Sequence, residues 1–200
     1  MPFIIGLTGG IGCGKTSASK LFTLLGVDII DTDEIARKLT QSDGPAISAI
    51  RKVFGDTYVT TDGALDRKQM RQLVFSDSSS RHQLEKILHP FIFTEAARRA
   101  KLGRSAYTVM VIPLLFETND YDKIIRRSLV IDCDEKNQIM RTMKRSKLNE
   151  QEVRAIIAAQ LSRQKRLQKA DDVIVNNNDL DYLQKQVKKY HQKYLTLSKS

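Results

Sequence analysis

Five short apolar runs of strand length, each bounded by turn residues, punctuate the chain: Phe3 to Leu7, Val27 to Ile30, Thr108 to Ile112, Ser128 to Ile131 and Val173 to Val175. Apolar throughout rather than alternating, they fit strands covered on both faces, the situation in a parallel sheet. Around them, apolar positions recur at helical spacing over Lys15 to Leu25, Asp33 to Leu39, Ala46 to Val53, Arg67 to Phe75, Arg81 to Ile87, Pro90 to Leu102, Glu135 to Lys144, Glu150 to Gln168 and Leu180 to Leu195. Strands alternating with helices predict an α/β fold with right-handed crossovers. Between the second and third strands lie about seventy residues in helical pattern, far more than a crossover needs. This stretch is expected to be a helical insertion that binds a second substrate.

Composition adds little to that picture and charge adds more. Hydrophobic residues at 41% and charged residues at 28% are ordinary globular values. The apolar N-terminal run lacks a basic flank and is broken by glycines, and no stretch approaches the ~20 apolar residues that span a bilayer. No membrane association is expected, and a soluble, cytoplasmic protein is. Cys13 and Cys133 are too few for a disulfide framework or a zinc site, which fits a reducing compartment. The net charge is +10, and residues 141–169 hold nine basic side chains against Glu150 and Glu152, so +7 sits in one segment.

The chemistry begins at Gly9-Gly10-Ile11-Gly12-Cys13-Gly14-Lys15-Thr16, a complete G-x-x-x-x-G-K-[ST] phosphate loop between a strand and a helix. Glycines let backbone N–H groups turn around a phosphate, and the helix N-terminus adds its positive end. Lys15 reaches β and γ oxygens, and the Thr16 hydroxyl helps hold Mg2+. ATP and Mg2+ are the expected cofactors, with Gly10, Ile11, Gly12, Cys13, Gly14, Lys15, Thr16 and Ser17 around the phosphates.

A phosphate loop names the nucleotide, not the reaction. The second strand ends in Asp31-Thr32-Asp33, where a carboxylate could take a proton from an attacking hydroxyl, position Mg2+, or cap the next helix. Asp132, after Leu129-Val130-Ile131, offers a rival reading as the acidic strand end of a nucleic-acid-dependent ATPase. No aromatic residue interrupts residues 141–169, as a base-stacking surface would want, so no nucleic acid partner is expected. Those residues read better as a hinged lid whose arginines, Arg141 first and then Arg145 one turn on, meet the transferring phosphate. Another small-molecule kinase and a non-catalytic nucleotide-binding module remain open on residue chemistry alone.

The chain resembles the dephospho-CoA kinase family. The likeness runs from Gly6-Leu7-Thr8-Gly9-Gly10-Ile11-Gly12 through Asp31-Thr32-Asp33, Leu88-His89-Pro90 and Ile112-Pro113-Leu114-Leu115-Phe116-Glu117. It continues to Ala159-Gln160, Arg163, Arg166-Leu167 and Ala170-Asp171-Asp172-Val173-Ile174. The resemblance implies a P-loop nucleoside triphosphate hydrolase-type three-layer fold with a five-stranded parallel sheet, a helical substrate-binding insertion and a helical lid. The corresponding parts are residues 1–32, 106–138 and 169–200 for the core, 33–105 for the insertion and 139–168 for the lid. It also implies phosphorylation of the ribose 3′-hydroxyl of dephospho-CoA. Asp33 would be the base, Lys15 and Arg141 would stabilise the transferring group, and Thr16 would bind the metal. Thr8, Asp33, Arg67, Arg71, His89, Pro113, Leu115 and Glu117 would form the acceptor site, and Asn176 and Asn177 would lie by the adenine. His89-Pro90 is equally an ordinary helix start, and Asn176-Asn177 an ordinary turn. Two positions depart from the family's usual pattern: Cys13 stands where serine is usual and Thr32 where alanine is usual. The oligomeric state is not written in the pattern.

Overall fold

The computed structural model describes residues 2–118 and 120–199. Five strands, β1 (Ile4–Gly9), β2 (Asp28–Asp31), β3 (Thr108–Val111), β4 (Arg127–Asp132) and β5 (Asp172–Val175), form one parallel sheet in the order β2-β3-β1-β4-β5. The fold is that of the P-loop kinases. Every expected strand forms, with ends shifted by one or two residues. β1 is buried along its whole length, which explains its uninterrupted apolar character.

On one face of the sheet, Ile5, Leu7, Val109, Val111, Leu129, Ile131 and Ile174 pack with Ala18, Leu21 and Phe22 of α1 (Lys15–Leu24) and Leu183, Val187 and Tyr194 of α9 (Leu180–Leu197). Fully buried side chains of this size each contribute about 1.5–3 kcal/mol. A polar knot ties the bottom of the sheet. The buried Asp172 carboxylate takes Arg127 Nε at 3.0 Å, Tyr194 Oη at 3.0 Å and the Lys193 ammonium.

The chain divides into two compact units, Met1–Asp31 with Arg99–Ser200, and Thr32–Arg98. The second holds α2 (Thr32–Leu39), α3 (Ile47–Phe54), a 3₁₀ turn (Asp56–Tyr58), α4 (Arg67–Ser76) and most of α5 (Ser78–Leu102). Its core contains Ile35, Ile47, Ile50, Leu65 and Met70. The insertion is not wholly helical, since Val59 and Leu65 form an antiparallel bridge closed by the Thr60–Ala64 turn.

Two helix boundaries differ from expectation. Pro90 does not start a helix: α5 begins at Ser78, capped by Asp77, whose carboxylate accepts the Ser79 and Ser80 N–H groups at 3.0 and 2.9 Å, and it runs through Pro90. The stretch Glu150 to Gln168 is two helices, α7 (Glu150–Ala159) and α8 (Arg163–Lys169), following α6 (Glu135–Ser146). Gln160 turns extended at the break, and Ser162 caps α8 by accepting the Lys165 N–H.

Candidate nucleotide and acceptor sites

The phosphate loop leaves the C-terminal end of β1 and feeds α1, as its strand-loop-helix context requires. Gly12 and Gly14 hold φ of 73° and 99°, a region unfavourable to residues with a Cβ. At Gly14 a methyl group would also come within 2.3 Å of Asn176 Nδ2, so the position is closed on steric grounds as well. The Lys15 ammonium arches back over the loop and donates to Gly9 O at 2.7 Å and Gly10 O at 3.2 Å.

Three side chains from distant sequence hold the loop from beneath and behind. Asn176, buried after β5, donates Nδ2 to Cys13 O at 2.8 Å, and its own carbonyl accepts Arg141 Nη1 at 2.8 Å. The Ile11 peptide is gripped on both sides: Gln160 Oε1 accepts its N–H at 3.0 Å and Gln138 Nε2 donates to its carbonyl at 2.9 Å. Sequence reasoning assigned no role to Gln138 or Gln160. The only signal for Gln160 was its place in the Ala159-Gln160 motif, and Gln138 left none.

Over the loop opens a cleft of about 280 Å³ lined by Gly12, Gly14, Lys15, Thr16, Ser17, Arg141 and Arg145. Of the expected phosphate-binding residues, Gly12, Gly14, Lys15, Thr16 and Ser17 line this cavity with both singled-out arginines, while Gly10, Ile11 and the buried Cys13 do not. Thr16 and Ser17 present exposed hydroxyls at the start of α1. A hard cation takes such oxygen ligands together with phosphate and water, so the residues present fit Mg2+. Cys13 is buried, its sulfur against that of Cys133. Asn177 is exposed and its Oδ1 accepts the Asp134 N–H at 2.9 Å.

Asp132, the rival acid, is 4% exposed, and Arg163 occupies both of its oxygens: Nε to Oδ1 at 2.8 Å and Nη2 to Oδ2 at 2.6 Å. The bidentate pair consumes the carboxylate that a motor ATPase would aim at a metal or water. Arg154 likewise pairs with Glu135 at 2.6 Å and Glu150 at 2.7 Å, joining α6 to α7.

The loop after β3 carries the remaining predictions in this unit. Thr8 is buried and donates to Pro113 O at 3.1 Å, while Leu115 is buried beside it. Glu117 is exposed, and its Oε1 accepts the Leu161 N–H at 3.1 Å at the junction of α7 and α8.

The helical unit holds Asp33, Arg67, Arg71 and His89. Asp33 lies in the first turn of α2, two residues past the end of β2. His89 is half-buried within α5. Arg67 donates Nη2 to Thr40 Oγ1 at 2.5 Å and to Arg37 O at 3.3 Å. Burial, then the charges of Arg37 and Arg71, push the Arg67 guanidinium below its ordinary value. Three arginines thus crowd together, and Arg37 is a member that sequence reasoning missed.

A family model described as dephospho-CoA kinase matches residues 3–182. A dephospho-CoA kinase of Nitrosomonas europaea is 57% identical over 199 residues, covering 100% of this chain and 98% of its own. A solved structure from Thermus thermophilus is similar with TM-score 0.84 and 27% identity over 96% of this chain and 97% of that one. A dephospho-CoA kinase from Campylobacter jejuni gives TM-score 0.71 and 26% identity, covering 96% and 97% of the two chains. No helix among the described residues is long and apolar enough to cross a membrane. With the phosphate loop complete and the likeness extending over nearly its full length, the chain belongs to the dephospho-CoA kinase family.

Proposed function

We propose that this chain transfers the γ-phosphoryl group of ATP to the ribose 3′-hydroxyl of dephospho-CoA, with Asp33, Lys15 and Arg141 as its catalytic residues. The family's reaction is the final step of coenzyme A biosynthesis. The observation that carries the assignment of Lys15 and Arg141 is the cleft in which Gly12, Gly14, Lys15, Thr16, Ser17, Arg141 and Arg145 converge, while that of Asp33 rests on its matching position in the family's pattern. Loop N–H groups and the α1 N-terminus cradle the β-phosphate. The Lys15 ammonium exchanges its two loop carbonyls for β and γ oxygens, and Arg141, steadied by Asn176, stabilises charge on the transferring group. Mg2+, held through Thr16, supplies charge neutralisation and orientation of the phosphates. Asp33 accepts the proton of the 3′-hydroxyl as it attacks.

Arg67 and Arg71, joined by Arg37, receive the acceptor's pyrophosphate, and His89 with the segment Pro113, Leu115 and Glu117 completes the acceptor site. Thr8 acts on that segment by holding Pro113. Residues 139–168 serve as a lid, and the arginines they carry exclude water from the phosphates on closing. Nucleic acid is not a partner in this reading. Arg154 and Arg163 within the basic segment are spent on internal ion pairs, which breaks any continuous phosphate-tracking stripe. The protein works in the cytoplasm, where its substrates are soluble. The deciding assay combines purified chain, ATP, Mg2+ and dephospho-CoA and follows ADP and CoA. Stoichiometric CoA formation is the expected result, while ADP release that ignores the acceptor would overturn the reading.

A further inference from the structure

Cys13 and Cys133 are 120 residues apart in sequence, yet their sulfurs meet at 3.3 Å. Each is 1% exposed. Cys13 belongs to the phosphate loop and Cys133 to the corner between β4 and α6, so the pair spans the two segments that frame the nucleotide cleft. Neither sulfur has a part in phosphoryl transfer. Packing alone would be met by serine and alanine at lower chemical risk.

From this geometry we infer that Cys13 and Cys133 form an intramolecular disulfide on exposure to hydroperoxide, and that the disulfide reversibly disables the phosphate loop.

The asymmetry of the pair supports the chemistry. The Cys133 S–H donates to the Cys13 sulfur, and this bond, with the nearby Lys15 charge, outweighs burial and lowers the Cys13 thiol to about 7. The same hydrogen bond, then burial, pushes the Cys133 thiol up. Cys13 is therefore the nucleophile and Cys133 the resolving thiol. Both neighbours of Cys13, Gly12 and Gly14, line the open cleft, while the sulfur itself is buried with the core. An oxidant that reaches it must be small, which favours hydrogen peroxide over a peptide-sized disulfide.

The step balances. The Cys13 thiolate attacks one peroxide oxygen, the O–O bond breaks, and the departing hydroxide takes a proton to become water. The Cys133 sulfur then attacks the Cys13 sulfenic acid, the S–S bond forms, the S–O bond breaks, and the second oxygen leaves as water with the Cys133 proton. Two thiols lose two electrons and two protons, and one peroxide becomes two waters.

Bond formation shortens the sulfur separation to ~2.05 Å, so roughly 1 Å of travel falls on the loop and the β4–α6 corner. The carbonyl of Cys13 is held by Asn176, and its N–H bonds Gly10 O at 3.3 Å, so whatever part of this travel the backbone takes up, beyond rotation of the side chain, disturbs the loop's amides. Displacements of that size at a phosphate cradle cost on the order of 10-fold to 100-fold in rate.

The test exposes the full chain to graded hydrogen peroxide, maps peptides without reductant, and assays the same samples for activity before and after dithiothreitol. The expected result is a peptide linking Cys13 to Cys133, an activity loss that tracks the linked fraction and exceeds about ten-fold in fully linked protein, and recovery with dithiothreitol. Cys133→Ala, with Cys133→Ser as a second choice should the first fold poorly, must abolish the linked peptide. The cross-link is read by mass, independently of kinase turnover. Absence of the linked peptide, or full activity in linked protein, overturns the inference.

Discussion

Gln160, the residue at which α7 stops, accepts the backbone N–H of Ile11 in the phosphate loop at 3.0 Å. The break between α7 and α8 is therefore a point of attachment. A continuous helix from Glu150 to Gln168 would carry this amide away from the loop's third residue. A single neutral hydrogen bond of this kind is worth about 1 kcal/mol. Gln160→Ala is expected to raise the KM for ATP about five-fold, by leaving the loop less preorganised. The KM for dephospho-CoA should stay unchanged. Steady-state kinetics with each substrate varied in turn makes the check, and an effect confined to the acceptor would contradict the assignment.

Asp33 is proposed to act on the acceptor's proton, so its removal should spare ATP binding. Asp33→Asn is expected to lower kcat by about 100-fold or more, the range of a general base, with ATP affinity within about two-fold of the parent chain. Calorimetric ATP titration alongside turnover separates the two quantities. A variant with normal kcat would leave Asp33 as a first-turn acid of α2 and nothing more.

The arginine cluster makes a complementary prediction. Arg67 and Arg71 should each contribute charge-assisted contacts to a pyrophosphate, so Arg71→Ala is expected to raise the KM for dephospho-CoA about ten-fold. ATP kinetics should not change. Arg67→Ala carries an extra structural loss because its guanidinium also holds Thr40 Oγ1. It should lower the melting temperature where Arg71→Ala does not.

Asp172 governs stability rather than turnover. Burial alone would raise its carboxyl, but hydrogen bonds from Arg127, Lys193 and Tyr194 outweigh that and hold it below the usual carboxylate range. Because the folded value lies below the unfolded one, near 4, the contribution is complete above the unfolded value and is lost as pH falls through the folded one. Asp172→Asn is expected to cost about 1–2 kcal/mol at neutral pH, because the buried carboxylate loses its charge-assisted hydrogen bonds while Arg127 and Lys193 keep access to water. It should also flatten the loss of stability in acid. Urea denaturation across a pH series measures both, and parallel acid limbs for the two chains would remove Asp172 from the account.

The parts legible in sequence were those where local pattern and tertiary role coincide. Parallel strands covered on both faces carry apolar runs without alternation, so β1 and β4 announced themselves through Ile4 to Leu7 and Leu129 to Ile131. The loop was legible because backbone cradling of phosphate restricts residue type at fixed spacing. Pro90 misled because a proline after a polar residue looks like a first turn, whereas α5 already has its cap at Asp77. The break at Gln160 was invisible for the opposite reason: its cause is a hydrogen bond to a residue 149 positions away. Arg37 went unnoticed because its meaning comes from α4, which brings Arg67 and Arg71 beside it. The contact between Cys13 and Cys133 likewise depends on the pairing of β1 with β4, and spacing alone says nothing of it.

Asn176 makes the phosphate loop and the arginine of α6 mechanically dependent on the C-terminal strand, since one buried side chain and its own carbonyl serve both. Damage at β5, 163 positions from the loop, would surface as a nucleotide defect. A nascent chain still lacking β5 would have its glycine-rich turn in place and no strut beneath it. Competence to handle ATP is thus deferred until β5 has been made and has paired with β4.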